Sequence, residues 1–351
     1  VAALSSDQAA ALRTEQVAAL KTAQVHALTS TQLGALSTSQ VGVLSATQVT
    51  ALTTDNVAGL STTQVAALSA KSVTGLTTAQ VGALGSDNVA ALTTAQIGAL
   101  NSSQIGALSS SEIAGLSTAD IAAINMAALA GLSTANVAAL SSDQAAALTT
   151  AQVSVLKTSQ IHALTSTQVG ALSASQVGTL SAAQLGSLTT DNVAGLSTTQ
   201  AAALSAKSVA GLTTAQVGAL GSDNVAALTT AQIGALNSTQ IGALNSAEIA
   251  GLSTADIAAI NTAALGGLST ANVAALSSDQ AAALTTAQVA ALKTTQVHSL
   301  TSTQIGALST AQVGTLNAAQ LGALTTDNVA GLSTTQIGAL TSKAVTGLST
   351  A

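Results

Sequence analysis

The 351-residue chain contains no cysteine, proline, phenylalanine, tyrosine or tryptophan, and only 6% of its residues are charged. The lack of cysteine excludes disulfides, thiolate metal sites and cysteine nucleophiles, and is compatible with either side of a cell membrane. The lack of aromatics removes the side chains that supply much of a globular core, which argues against an ordinary enzyme fold. Disorder fits no better. Disordered chains combine low hydrophobicity with high charge and proline, whereas this one is 48% apolar with a mean hydropathy of +0.54. A net charge of -6 and a pI near 4.7 argue against nucleic acid or anionic lipid as a partner. No signal peptide is visible, and no apolar run approaches the roughly 18 residues of a membrane span. The chain reads as a soluble stretch cut from something longer.

What is present is a repeat, and its period decides the architecture before any single motif can be interpreted. From Val17 the chain reads VAALKTAQ, VHALTSTQ, LGALSTSQ, VGVLSATQ, and the eight-residue frame holds without insertion from Val1 to Ala351. Numbering each octad from its Val, position 4 occurs 44 times and is Leu except at Ile124 and Ile260. Position 1 is Val, Ile or Leu except at Ala9, Ala145, Ala201 and Ala281, so positions 1 and 4 form the candidate core. Position 3 is almost always Ala or Gly. Position 5 is mostly Ser, Thr or Asn, and position 8 is Gln in 27 of 43 octads. A longer repeat of 136 residues, seventeen octads, overlies the short one: His26 returns as His162 and His298, and Lys71 as Lys207 and Lys343. It defines blocks 1–136, 137–272 and a partial 273–351. No linker separates these blocks, so the expectation is a single continuous solenoid over 1–351.

Three backbones compete for this pattern. A continuous helix would carry the core positions at an average spacing of four instead of 3.6, so its apolar stripe would drift around the axis. A β-solenoid is the main alternative, but Ala, Gln, Gly and Asn at these frequencies disfavour strands, and strict alternation is missing. The pattern is best satisfied by an all-α repeat solenoid of very short capped helices, one per octapeptide. Position 5 then serves as N-cap and position 8 as the third helical residue, which completes a capping box; Leu and Val occupy the two places of a hydrophobic staple. Acidic residues fall in the first turn, where the helix dipole favours them: Asp7, Glu15, Asp55 and Asp87 at position 7, Glu112 and Asp120 at position 8. Helices this short are unstable alone, so neighbouring octads must stabilise each other by stacking. Small residues at position 3 would let one coil's backbone approach the next.

Few residues could carry chemistry. Each of the three histidines sits alone at octad position 2, with no second His and no acidic residue within an octad, and reads as an exposed polar substitution. Lys71 beside Ser72 superficially suggests a Ser-Lys pair, but no oxyanion-hole sequence accompanies it. The Asp and Asn of the TTDN and SDN segments are too sparse for a calcium loop, and the glycines never cluster as a phosphate-binding loop. The expectation is therefore no enzyme, with no catalytic, cofactor-binding or metal-binding residues and no cofactor.

The string ALTTAQVAAL at Ala283 to Leu292, varied as ALTTAQVSVL at Ala147 to Leu156, resembles the Ala-Leu-Thr-Thr-x-Gln-Val/Ile octapeptide repeats of giant bacterial secreted or cell-surface adhesin-like proteins. That resemblance implies an extracellular or cell-surface location. With the unbroken octads, it points to a non-enzymatic stalk, spacer or filament. Its exposed Ser, Thr, Gln and Asn faces would meet other copies of the chain, or surface glycans, with no nucleic acid and no membrane insertion. The alternative function is an ice- or carbohydrate-binding solenoid module that uses the same hydroxyl ladder.

Overall fold

The computed structural model describes residues 1–348. The chain forms two compact units, Val1–Leu172 and Ser173–Ala351. Within both, each octad makes one short helix. Among the described residues there are 42 α-helices of four to six residues, one 3-10 turn and no strands, so the short-helix solenoid is the observed fold and neither the β-solenoid nor the long helix is.

The octad boundaries follow from local chemistry. The position-5 residue leaves the helical region, as at Thr285 with ψ 158°, and its hydroxyl accepts a bond from the backbone N–H of the third helical residue. The Leu before it closes the preceding helix with an N–H bond to the Val carbonyl three residues back, as Leu60 does to Val57 at 3.2 Å. That Leu is then extended, with ψ near 140° at Leu68. Cap, single turn, extended Leu and next cap recur along the chain.

Helices pack against the helix three octads away. In the first unit Thr38–Gly42 packs on Thr62–Ala67, and Thr94–Ala99 on Thr118–Ala123; in the second Ser278–Ala283 packs on Ser302–Ala307. Three octads therefore make one coil. The Val and Leu columns of stacked coils fill the interior: Val65, Ile97, Ile161 and Ile233 are wholly buried and the interior Leu residues nearly so. Removing these apolar side chains from water stabilises each coil against its neighbours by about 1.5–3 kcal/mol per side chain.

Small residues permit this stacking. Gly131 lies against the carbonyl of Ser102, and Gly75 against that of Ala46, so closely that a Cβ at either would collide with backbone. Because seventeen is not a multiple of three, the copies of a long-block residue fall on different faces. His26 and His162 do so within the first unit, and Lys207 and Lys343 within the second.

Candidate functional site

Position 8 is the most highly connected side chain of the octad. Gln288 Oε1 accepts from the Thr285 backbone N–H at 2.7 Å, and Thr285 Oγ1 accepts in turn from the Gln288 N–H at 3.1 Å, which closes the capping box expected from the sequence. The other end of the same amide leaves the octad. Gln288 Nε2 donates into a nest of three carbonyls in the coil before: Ile257 at 2.9 Å, Ala258 at 3.2 Å and Ile260 at 2.8 Å. Those carbonyls belong to the last turn of the helix Thr254–Ala259 and the residue that follows it, where a helix runs out of N–H donors; that of Ile257 also accepts from Ile260 N–H at 3.3 Å. Gln152 does the same on Ile121, Ala122 and Ile124. One side chain thus starts its own helix and satisfies the end of the helix beneath it.

Other residue types keep the second half of this role if they carry a donor. Asn56 Nδ2 reaches the Leu28 carbonyl at 3.0 Å while Asn56 Oδ1 accepts from Thr53 N–H. Ser72 Oγ reaches the Leu44 carbonyl at 2.5 Å. All of these side chains are buried, where a missing bond is costly. Sequence reasoning assigned Gln to the capping box alone and missed the bond to the preceding coil. The signal was available: a capping box accepts Glu as readily as Gln, yet Gln occupies 27 octads and Glu only two.

The residues weighed for chemistry are dispersed. His26 and His298 are exposed, and their Nδ1 atoms pair with the carbonyls of Ala51 at 3.0 Å and Ala323 at 2.9 Å, one coil on. His162 is exposed at the same octad position. Lys71 and Lys207 point to solvent, whereas Ser72 and Ser208 beside them are buried and donate to carbonyls, so no Ser-Lys pair forms. The position-7 acids lie in first turns as expected, and Asp55, Asp87 and Asp191 are exposed there. Glu112, Asp120, Glu248 and Asp256 occupy the first turn too, but at position 8 they are buried. Among the described residues no three His, Asp or Glu side chains converge on a point, and no helix is long and apolar enough to cross a membrane.

Two clefts repeat with the long block. Each opens where the N-cap is a glycine in the left-handed region, Gly85 at φ 77° and Gly221 at φ 78°, with volumes of about 430 and 460 Å³. Ser61, Ser86 and Asp87 line the first; Ser197, Ser222 and Asp223 line the second.

The buried amide and hydroxyl side chains at position 8 complete the backbone of a neighbouring coil, and the geometry defines a tandem-repeat solenoid of short helices. The model of the ALTTAQ repeat matches the chain in eleven stretches, from residues 14–46 to 315–350, which together cover 14–182 and 199–350. The chain belongs to the ALTTAQ repeat family. A comparison with curated proteins gave no match.

Proposed function

We propose that this protein is a non-enzymatic scaffold, a stalk, spacer or filament element displayed outside a bacterial cell, and that copies associate through their exposed hydroxyl faces. The observation that carries the reading is how the polar side chains are used. Position-5 hydroxyls cap helices and position-8 amides join coils, so the regular polar columns build the backbone. Membership of a repeat family supports a structural repeat role. The likeness of ALTTAQVAAL to repeats of giant secreted proteins supports the extracellular setting. The capping hydroxyls are already engaged, which leaves position 6, rich in Ser and Thr and exposed, as the outward hydroxyl row for contacts between copies.

Two experiments test this reading. Antibody labelling of intact producing cells should detect the repeat without permeabilisation, and signal only after permeabilisation would overturn the extracellular placement. Sedimentation velocity over a micromolar concentration series should show reversible oligomers, whereas a monomer at every concentration would remove self-association. Binding on a glycan array by a monomeric chain would instead favour carbohydrate recognition.

A further inference from the structure

The position-8 donor is missing from three successive octads, a full coil, once in each unit, and singly at Ala344 in the second. Three successive octads carry position-8 residues that cannot donate when ionised or lack a polar group: Glu112, Asp120 and Ala128 in the first unit, Glu248, Asp256 and Ala264 in the second. The carbonyls they should meet, by the 28-residue spacing seen at Gln152 and Gln288, are Leu84, Leu92 and Leu100, and Leu220, Leu228 and Leu236.

The carboxylates do only half of glutamine's work. Glu248 Oε2 accepts from the Asn245 N–H at 2.8 Å, and Asp256 Oδ2 from Ser253 N–H at 3.1 Å and Oγ at 2.6 Å. Glu248 is only 1% and Asp256 5% exposed, and each sits on a helix packed against the coil below, so neither offers the carbonyls there the amide donor that Gln supplies. The charged groups on the packed helices are acidic as well: Asp87 below Glu112, Asp143 above Asp120, Asp223 below Glu248 and Asp279 above Asp256. The remaining packed helices carry none.

The two copies differ in how far they are repaired. Leu84 and Leu220 receive bonds from Asn88 and Asn224 of their own octads, both at 3.1 Å, which occupies the carbonyl without tying the coils. In the first unit Asn125 Nδ2 takes over for Ala128 and reaches Leu100 at 2.8 Å. In the second, Asn261 Oδ1 accepts from Ala263 N–H, a turn and the 3-10 segment Leu265–Gly267 replace the helix, and an open cleft of about 340 Å³ lies against Leu236 and Asn261. The carbonyls of Leu92, Leu228 and Leu236 accept no hydrogen bond from the described residues.

We infer that each unit opens first at this seam, between residues 81–100 and 105–128 and between 217–236 and 241–264, and that the second seam opens more readily. Local opening belongs to regions with few structural bonds, and in a solenoid a weak junction lowers one nearest-neighbour contribution without disturbing the others. Hydrogen exchange of the whole chain, read by mass spectrometry, tests the inference. Peptides from 105–128 should exchange faster than peptides from 41–64, peptides from 241–264 faster than those from 285–308, and 241–264 fastest of all. Glu248→Gln with Asp256→Asn installs donors that fold at this position elsewhere, as in Gln288 and Asn56. These changes should slow exchange at 241–264 about five- to tenfold per restored bond and leave 285–308 unchanged. Equal protection across seam and control peptides, or an unaltered seam in the substituted chain, would overturn it.

Discussion

Asn88 Nδ2 stands 3.1 Å from the carbonyl of Leu84, the oxygen that Glu112 in the next coil is placed to meet and, as an acceptor, cannot. In octads where Asn keeps its box, its amide oxygen serves the N-cap backbone, as Asn56 serves Thr53. Asn88 keeps its bond to Leu60 at 3.0 Å and donates to Leu84 as well, and the cap at Gly85 makes no side-chain hydrogen bond. One change at position 8 is thus answered three octads earlier, and the same trio recurs as Gly221, Asn224 and Glu248. Coils interact through named bonds as well as through shared apolar burial.

Removing a donor from an intact junction should therefore cost more than removing a surface side chain. Gln288→Ala deletes the acceptor of Thr285 N–H and the donor to three carbonyls, and is expected to destabilise the second unit by about 2–4 kcal/mol. Gln288→Asn keeps a donor of the kind Asn328 uses on Leu300, so it should cost less than about 1 kcal/mol. Urea unfolding followed by circular dichroism separates the two.

The cap can be tested alone. Thr285→Ala removes the hydroxyl that receives Gln288 N–H and is expected to cost about 1 kcal/mol, while Thr285→Ser should be nearly silent. Equal stability of the three proteins would show that the hydroxyl column does not cap.

Glycines of similar appearance should respond in opposite ways. A Cβ at Gly131 would strike the Ser102 carbonyl, whereas one at Gly218 meets its nearest neighbour, the Ala243 carbonyl, at 3.5 Å. Gly131→Ala should lower stability by about 1–3 kcal/mol. Gly218→Ala, inside the helix Thr214–Gly218, should raise it by about 0.5–1 kcal/mol. Thermal unfolding of the two variants reads the sign directly.

Gly85 isolates backbone conformation from packing. A Cβ there has open space, but φ is 77° and ψ 163°, so Gly85→Ala should cost about 1–3 kcal/mol from strain alone. An unchanged melting temperature would mean that the octad relaxes to an ordinary cap.

The parts of the structure legible in the sequence are the local ones. Ser or Thr followed three residues later by Gln specifies a cap and its box, and Leu and Val at the staple positions follow from the same frame. The number of octads per coil was not legible, because a period of eight fixes each unit but says nothing about which unit stacks on which. Gln288 could be read as a capping residue from Thr285; its bonds to Ile257 and Ile260 lie 31 and 28 residues away. For the same reason Glu112 and Asp120 read as first-turn acids, and only the stacked coil shows that they lie buried over carbonyls. The preference for Gln over the isosteric Glu was the trace of that contact in the sequence.

The central claim is that the buried position-8 amides donate to the coil before them. Hydrogen exchange of the side-chain NH2 groups of Gln and Asn, followed by nuclear magnetic resonance of the whole chain, measures it directly. The account predicts a large set of strongly protected side-chain amides, with Gln8, Gln16 and Gln24, which are exposed and bond to no other coil, exchanging at the rate of free glutamine. Exchange of all the side-chain amides at that free rate would contradict it.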